Sequence, residues 1–243
     1  MIGSKFKFLS IMMIMLLLAG GYGFDMQGKA ISQKTKSSNE SVFIYSTHNR
    51  ETYSSSNLTE KQPQLGATLD AQDNVTLVGA YLAAALGEKG INVAQSKEDY
   101  YDMNNGSYAG LYDLSRKSVK DALKKNPEVS MVFDIQNTSR PKEQTTVKIN
   151  EKNTAKIYFV VDQSHPNWKM NLDFAKRLSK TLENHYPGVF GGITEKKAIK
   201  SWNQDLSPQS VLVQVGGKEN TFVEAYRAAD LLADVIADVA KNN

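Results

Sequence analysis

Cysteine is absent from this chain of 243 residues, so disulfides, thiolate metal sites and cysteine nucleophiles are excluded together. An exported bacterial protein can do without disulfides, and this composition is compatible with one. Histidine is almost as scarce. His48, His165 and His185 are the whole supply, so any metal site must be lean in imidazole. Charge of one sign is also lacking: the net value is +3, and Lys5 and Lys7 at the N-terminus carry two of those charges. The remainder has no basic block and no electrostatic footprint for nucleic acid. No Gly-x-Ser-x-Gly elbow, Walker loop or Gly-x-Gly-x-x-Gly turn occurs, which removes the commonest serine-hydrolase, phosphate-loop and dinucleotide signatures.

What is present begins with a targeting segment. Lys5 and Lys7 precede an uncharged, largely apolar run from Phe8 to Phe24. Residues 1–24 therefore read as a signal peptide, or as an uncleaved N-terminal membrane anchor at the short limit for spanning. Residues 25–40 are polar and read as a linker. That leaves 41–243 as one domain of roughly 200 residues, on the extracytoplasmic face.

Within the domain, strands alternate with helices. Val42–Ser46 is a short apolar strand. Asn74 caps a helix with Val75, Val78, Leu82 and Ala85 on one face, closed by Gly90. Ile91–Ala94 is a second strand, Lys97–Gly110 a tyrosine-rich loop, and Leu111–Lys125 a second helix stopped by Asn126-Pro127. Val129–Ile135 is an unbroken apolar run of the kind a doubly covered parallel sheet prefers. Thr145–Ile149 and Thr154–Val161 flank Asn150–Asn153 as a β-hairpin. Asn167-Trp168 opens a helix that ends at Tyr186-Pro187-Gly188, and a glycine-rich, basic loop follows. Val211–Val215 is the last strand. Thr221 and Glu224 then form a capping box for a final helix with Phe222, Ala225, Ala229, Leu232, Ile236 and Val239 on its apolar face. The pattern predicts an α/β fold: a mainly parallel sheet flanked by helices, with one β-hairpin insertion.

The candidate chemistry sits at strand ends, where open α/β sheets place it. Val42–Tyr53 is the leading stretch: the strand ends in His48, and a carboxylate follows at Glu51, a pair that suits zinc. Gln136 follows strand 129–135, and Gln214 lies within strand 211–215. His165 reads as helping the chain enter its helix, and His185 as a cation at a helix C-terminus. Tyr100, Tyr101, Tyr108 and Tyr112 fit either a core edge or a platform for sugar rings.

Several segments in this order resemble the stage II sporulation protein P family of peptidoglycan amidases. They are Ile44–Tyr53, Asn105-Gly106-Ser107-Tyr108, His165-Pro166-Asn167-Trp168, Asn203–Pro208, and Val215-Gly216-Gly217 before Asn220-Thr221. The resemblance covers roughly residues 42 to 240. It implies an N-acetylmuramoyl-L-alanine amidase-like fold with a zinc held by two histidines and a glutamate, and a further glutamate as general base. It also implies peptidoglycan as the ligand, a membrane tether, and action in sporulation beside the D- and M-type sporulation proteins. Transferred residue by residue, it makes His48 and Glu51 metal ligands. Where the family has Asp-Ile-His this chain has Asp134-Ile135-Gln136, so the third metal position is Gln136. Where the family has Glu-Val-Gly it has Gln214-Val215-Gly216, so the general-base position is Gln214.

An amide oxygen is a poor zinc ligand, and an amide accepts no proton near neutral pH. Loss of a general base alone costs about 10²–10⁴ in rate. The expectation is therefore a catalytically impaired protein that binds wall or partner, with zinc present only if the site still functions. Two alternatives stay open. One is a working zinc-dependent amidase in which His165 replaces the missing ligand and Asp134 or Glu219 the base. The other is a scaffold that recruits partners through loops 52–72 and 97–112.

Overall fold

The computed structural model describes residues 23–24, 30–31, 41–54, 74–199 and 201–242. Two short strands, β1 (Gly23–Phe24) and β2 (Ala30–Ile31), pair antiparallel within a unit that spans residues 1–37. The expected targeting segment and linker otherwise lie outside the described residues, as does most of the 52–72 loop. Among the described residues no helix is long and apolar enough to cross a membrane.

The unit 38–243 is built on alternating elements. In chain order they are β3 (Ser41–Tyr45), α1 (Val75–Glu88), β4 (Asn92–Gln95), α2 (Tyr100–Met103), α3 (Leu111–Lys125) and β5 (Val129–Thr138). The short helix α4 (Lys142–Thr145) leads into β6 (Thr146–Ile149) and β7 (Lys152–Ala155). Then come β8 (Ile157–Asp162), α5 (Trp168–His185), β9 (Phe190–Lys196), a 3-10 turn at Gln204–Leu206, β10 (Ser210–Gly217) and α6 (Phe222–Lys241). Among the described residues six strands form one sheet in the order β4-β3-β5-β10-β8-β9. Every neighbouring pair in it is parallel except β10 with β8. The α/β class and the mainly parallel sheet are as the sequence pattern predicts.

Three details differ from that pattern. First, β5 runs through Thr138, so Gln136 is inside the strand rather than after it. Second, the hairpin is β6–β7 alone, turned by Asn150 and Glu151, both at positive φ (48° and 62°) as a tight primed turn requires. After Lys156 the chain leaves the hairpin and enters the main sheet as β8, so one predicted strand is two. Third, the glycine-rich stretch expected as loop contains β9, the sheet's edge strand.

Burial explains where a site can form. On one face α1, α5 and α6 cover the sheet. Ile44, Phe133, Ile135, Phe159, Val161 and Val213 pack there against Leu82, Leu178, Leu232 and Ile236, all essentially inaccessible. Burying each such side chain contributes about 1.5–3 kcal/mol. The opposite face is covered over β3 and β5 by α3, which supplies Val119 and Ala122 against Phe43, Tyr45 and Val132, with Leu206 beside them. Over the end of β8 it is covered by the chain around Ala198 and Trp202, whose amides bond the buried Asp162 carboxylate. Side chains alternate along a strand. Gln136, Gln214, Val160, Thr194 and Lys196 therefore fall on this second face beyond the edge of α3, and they line a cleft of about 540 Å³.

Candidate active site

The segment Thr47–Tyr53 leaves the C-terminal end of β3 and is tied down at almost every residue. The Thr47 amide donates to Asp134 Oδ1 at 2.9 Å, and its hydroxyl donates to Ser115 Oγ at 2.9 Å. Asn49 Nδ2 donates to Asp99 Oδ1 at 2.7 Å, and Asn49 Oδ1 accepts from the Tyr101 amide at 3.1 Å. Arg50 forms an ion pair with the same Asp99. Burial works to raise the Asp99 carboxyl, but its bonds from Arg50 and Asn49 outweigh that and hold it below the usual carboxylate range. Tyr53, buried, donates to the Val215 carbonyl at 2.7 Å. The two residues left to face the cleft are His48 and Glu51.

His48 Nδ1 lies 3.4 Å from Glu51 Oε1, and Glu51 Oε2 accepts from the Asn137 amide at 2.7 Å. Burial alone would push the His48 imidazole down. The hydrogen bond and charge of Glu51 more than offset it, and the imidazole titrates above its ordinary value. Tyr108 and Tyr112 meet the ring edge-on, with centroids at 5.7 and 5.6 Å, and Tyr112 stacks on Trp202 at 6.3 Å. Tyr101 packs on Tyr108 at 4.8 Å, whereas Tyr100 is buried core. The tyrosine-rich segment thus frames His48, and part of it is the short helix α2.

Gln136 and Gln214 are direct partners across the parallel pair β5–β10. Gln136 Nε2 donates to Tyr112 Oη and to Asp134 Oδ2, both at 3.1 Å. Asp134 lies beneath it, fully buried, with Thr47 on its other oxygen; burial raises its carboxyl to about 6. Four sequence-derived residues therefore converge: His48, Glu51, Gln136 and Gln214 all line the cleft. His165 does not join them. It follows β8, which runs antiparallel to β10, so it emerges at the other end of the sheet, buried, with its carbonyl accepting from Trp168. Glu219 accepts from the Lys142 amide and does not line the cleft. His185 lies against Asp238, 3.5 Å away, in the last turn of α5.

A catalytic zinc centre generally takes three protein ligands. The donors present here are one imidazole, one carboxylate already engaged by Asn137, and one neutral amide. Among the described residues no three His, Cys, Asp or Glu side chains converge on a common point. The donor set fits two ligands of such a centre and not the third.

Sequence reasoning missed several functional neighbours. Asn137 supplies a backbone amide, for which no side-chain signal exists. Asp99 reaches the site only through the packing of α2, and Tyr112, read from the sequence as a core edge or sugar platform, meets His48 and Gln136 from α3. Asn203–Pro208, one of the family-like segments, is a latch. Asn203 Nδ2 donates to Ser115 at 3.0 Å, Arg116 pairs with Asp205 at 2.6 Å, and Asn171 Nδ2 donates to the Ser207 and Ser210 carbonyls. The latch holds Trp202 against Tyr112. Gly216-Gly217 is more than a turn. Gly216 has φ +62°, and a Cβ on Gly217 would stand 2.7 Å from the Arg140 carbonyl oxygen and 2.9 Å from that of Thr138.

A sequence model of the stage II sporulation protein P family matches residues 23–237. The stage II sporulation protein P of Bacillus subtilis (strain 168) is 36% identical over 221 residues, which are 88% of this chain and 55% of that protein. The chain thus spans about half the length of this curated relative. Among solved structures, the CwlD amidase from Clostridioides difficile, in complex with the GerS lipoprotein, superposes with a TM-score of 0.53. Identity is 11%, and coverage is 84% of this chain and 99% of that one, a likeness of fold alone. The N-acetylmuramoyl-L-alanine amidase AmiC2 of Nostoc punctiforme is more distant, with a TM-score of 0.46, 13% identity, and coverage of 84% and 96%.

Proposed function

This chain belongs to the stage II sporulation protein P family, and from that premise we propose that it is an exported, wall-directed amidase-fold protein with most or all of its hydrolytic activity lost. Its cleft holds peptidoglycan stem peptides without cutting them. The N-terminal segment tethers it to the membrane, and its setting is the wall remodelling of sporulation, where D- and M-type sporulation proteins are its partners. One observation carries the reading: Gln136 and Gln214 stand side by side in register, on the open face, beside His48 and Glu51. These are the positions where the family resemblance implies a third zinc ligand and a general base. An amide in each place leaves hydrogen-bond recognition intact and removes both metal affinity and proton acceptance. The zinc-enzyme alternative needs a substitute ligand and base; His165 and Glu219 lie outside the cleft, and Asp134, the other candidate base, is buried beneath Gln136 with its oxygens taken by Thr47 and Gln136.

The test compares the wild-type chain with the Gln136→His/Gln214→Glu double variant for zinc content and for release of stem peptides from purified sacculi. The wild type is expected to sediment with sacculi and release nothing, whereas the double variant gains zinc-dependent release. Zinc-dependent release by the wild type, abolished by His48→Ala, overturns the proposal.

A further inference from the structure

Resting on the reading of the cleft as a stem-peptide site, we propose that its β9 side is an anion subsite. There Arg140, seated over Tyr158, receives the terminal carboxylate of a short peptide, with Lys196 and Lys218 adding positive charge from opposite ends of the strands. The three cations come from separate parts of the chain, Arg140 after β5, Lys196 at the end of β9 and Lys218 after β10, yet all line the same cleft. Among its lining residues Glu51 is the one carboxylate. It belongs to the β3 side, and His48 and the Asn137 amide occupy its oxygens. Among the described residues none of the three cations forms an ion pair, while neighbouring carboxylates are engaged elsewhere. Glu195 accepts from Gln163 Nε2, Glu219 accepts from the Lys142 amide, and Glu224 pairs with Lys142. Lys196, level with Asp162, and Lys218, past the end of β10, flank the Arg140 guanidinium, and a concave surface lined by one sign of charge focuses its field on an anion.

Arg140 is held ready for a ligand. Its guanidinium lies over the Tyr158 ring, 4.9 Å from the centroid. That ring is fixed at its far end, where the hydroxyl donates to the Gln144 carbonyl at 2.5 Å. It also occupies the space where a Cβ of residue 191 would be, so Gly191 is what admits it. The absence of a Cβ at Gly217 lets the Thr138–Arg140 segment close on the end of β10. A guanidinium seated in advance loses less conformational freedom when it binds a carboxylate.

The dimensions select the occupant. From β3 to β9 the sheet takes four interstrand steps of about 4.8 Å, or roughly 19 Å from the His48 side to the Lys196 side. An extended peptide advances about 3.3–3.6 Å per residue, so about five or six residues' length of chain spans the cleft, which an acetylated tetrapeptide lengthened by its γ-linkage approaches. Gln136 on β5 and Gln214 on β10, two of the three strands between, present neutral amides to the peptide groups that would lie over them.

The experiment is calorimetric titration of the full chain at about 0.15 M salt. One probe is the N-acetylated stem tetrapeptide with its γ-linked residue as isoglutamine (L-Ala-D-γ-isoGln-L-Lys-D-Ala), so that the terminal carboxylate is its one carboxylate, and the other is its terminal amide. The acid is expected to bind about tenfold more tightly than the amide. In the triple variant Arg140→Gln/Lys196→Gln/Lys218→Gln that preference disappears and affinity for the amide is retained, which also reports an intact fold. Equal binding of acid and amide by the wild type overturns the subsite, as does a preference that survives in the triple variant. Poly(glycerol phosphate) displacing the acid at lower concentration than the peptide itself overturns it too, by assigning the cations to phosphate. Sedimentation with sacculi separates the two levels. If sacculi bind while acid and amide bind alike, only the subsite fails; if neither peptide nor sacculi bind, the stem-peptide reading falls with it.

Discussion

Gly191→Ala tests the arrangement behind the cleft's β9 side. A Cβ there would stand 2.2 Å from Cε1 and Cζ of Tyr158 and 2.6 Å from Cδ1, where ordinary contact begins at 3.4 Å. The ring must move by more than about 1 Å, which is overpacking of the kind that costs about 1–3 kcal/mol. Moving it also strains the hydrogen bond to the Gln144 carbonyl, worth about 1 kcal/mol. The expected loss is about 2–3 kcal/mol, well within the 5–15 kcal/mol typical of a domain, so the variant still folds. Urea denaturation should show a lower midpoint at unchanged slope. The same substitution in a Tyr158→Ala background should cost much less, because the ring it collides with is gone. A loss under about 0.5 kcal/mol, or an equal loss in both backgrounds, refutes the packing argument, since residues in contact must couple.

Two further outcomes follow from the ties around the site. Asp99→Ala removes the acceptor shared by Asn49, Arg50 and the Asp102 amide; it should cost about 1–2 kcal/mol and speed amide exchange across 47–53 and 99–106, and unchanged exchange there defeats the account of how His48 is held. Arg116→Gln breaks a two-pronged pair with Asp205, whose carboxyl Arg116 and Ser201 hold down to about 2. A lowered carboxylate stabilises the fold above its unfolded value of 3.8 and ceases to as pH falls through about 2. The variant should therefore lose about 1 kcal/mol at pH 7, modest because both groups face water, and the gap to wild type should narrow between pH 4 and 2. A gap independent of pH contradicts the assignment.

How much was legible beforehand depends on what kind of residue carries the information. The helices α1, α3, α5 and α6 were readable because apolar spacing and caps are local: Asn74 accepts from the Thr76 amide, and the Thr221/Glu224 box forms in full. β9 was hidden, because an edge strand made of Phe190-Gly191-Gly192-Ile193-Thr194 has too little apolar alternation to announce itself. Its Gly191 answers to Tyr158, a residue on another strand. The hairpin boundary at Lys156 was hidden for a similar reason. β-Rich sequence continues through it, and only pairing decides which strand each half joins.

For the site the division is similar. The sequence by itself determined the class of chemistry. With no cysteine and three histidines, a His48–Glu51 pair at a strand end and glutamines at 136 and 214 leave little else to build from. It also determined the family resemblance, because ordered motifs survive in the linear chain. Tertiary structure alone decided the rest. Strand register set Gln136 opposite Gln214, and the antiparallel run of β8 sent His165 to the far end of the sheet. The partial cover of the second face left a cleft open on it, and the fold brought Arg140, Lys196 and Lys218, from three separate parts of the chain, to line it together with His48. The physical reason is that propensity and capping act over a few residues, whereas register, crossover and the edge of a covering helix are settled by contacts between residues far apart in sequence.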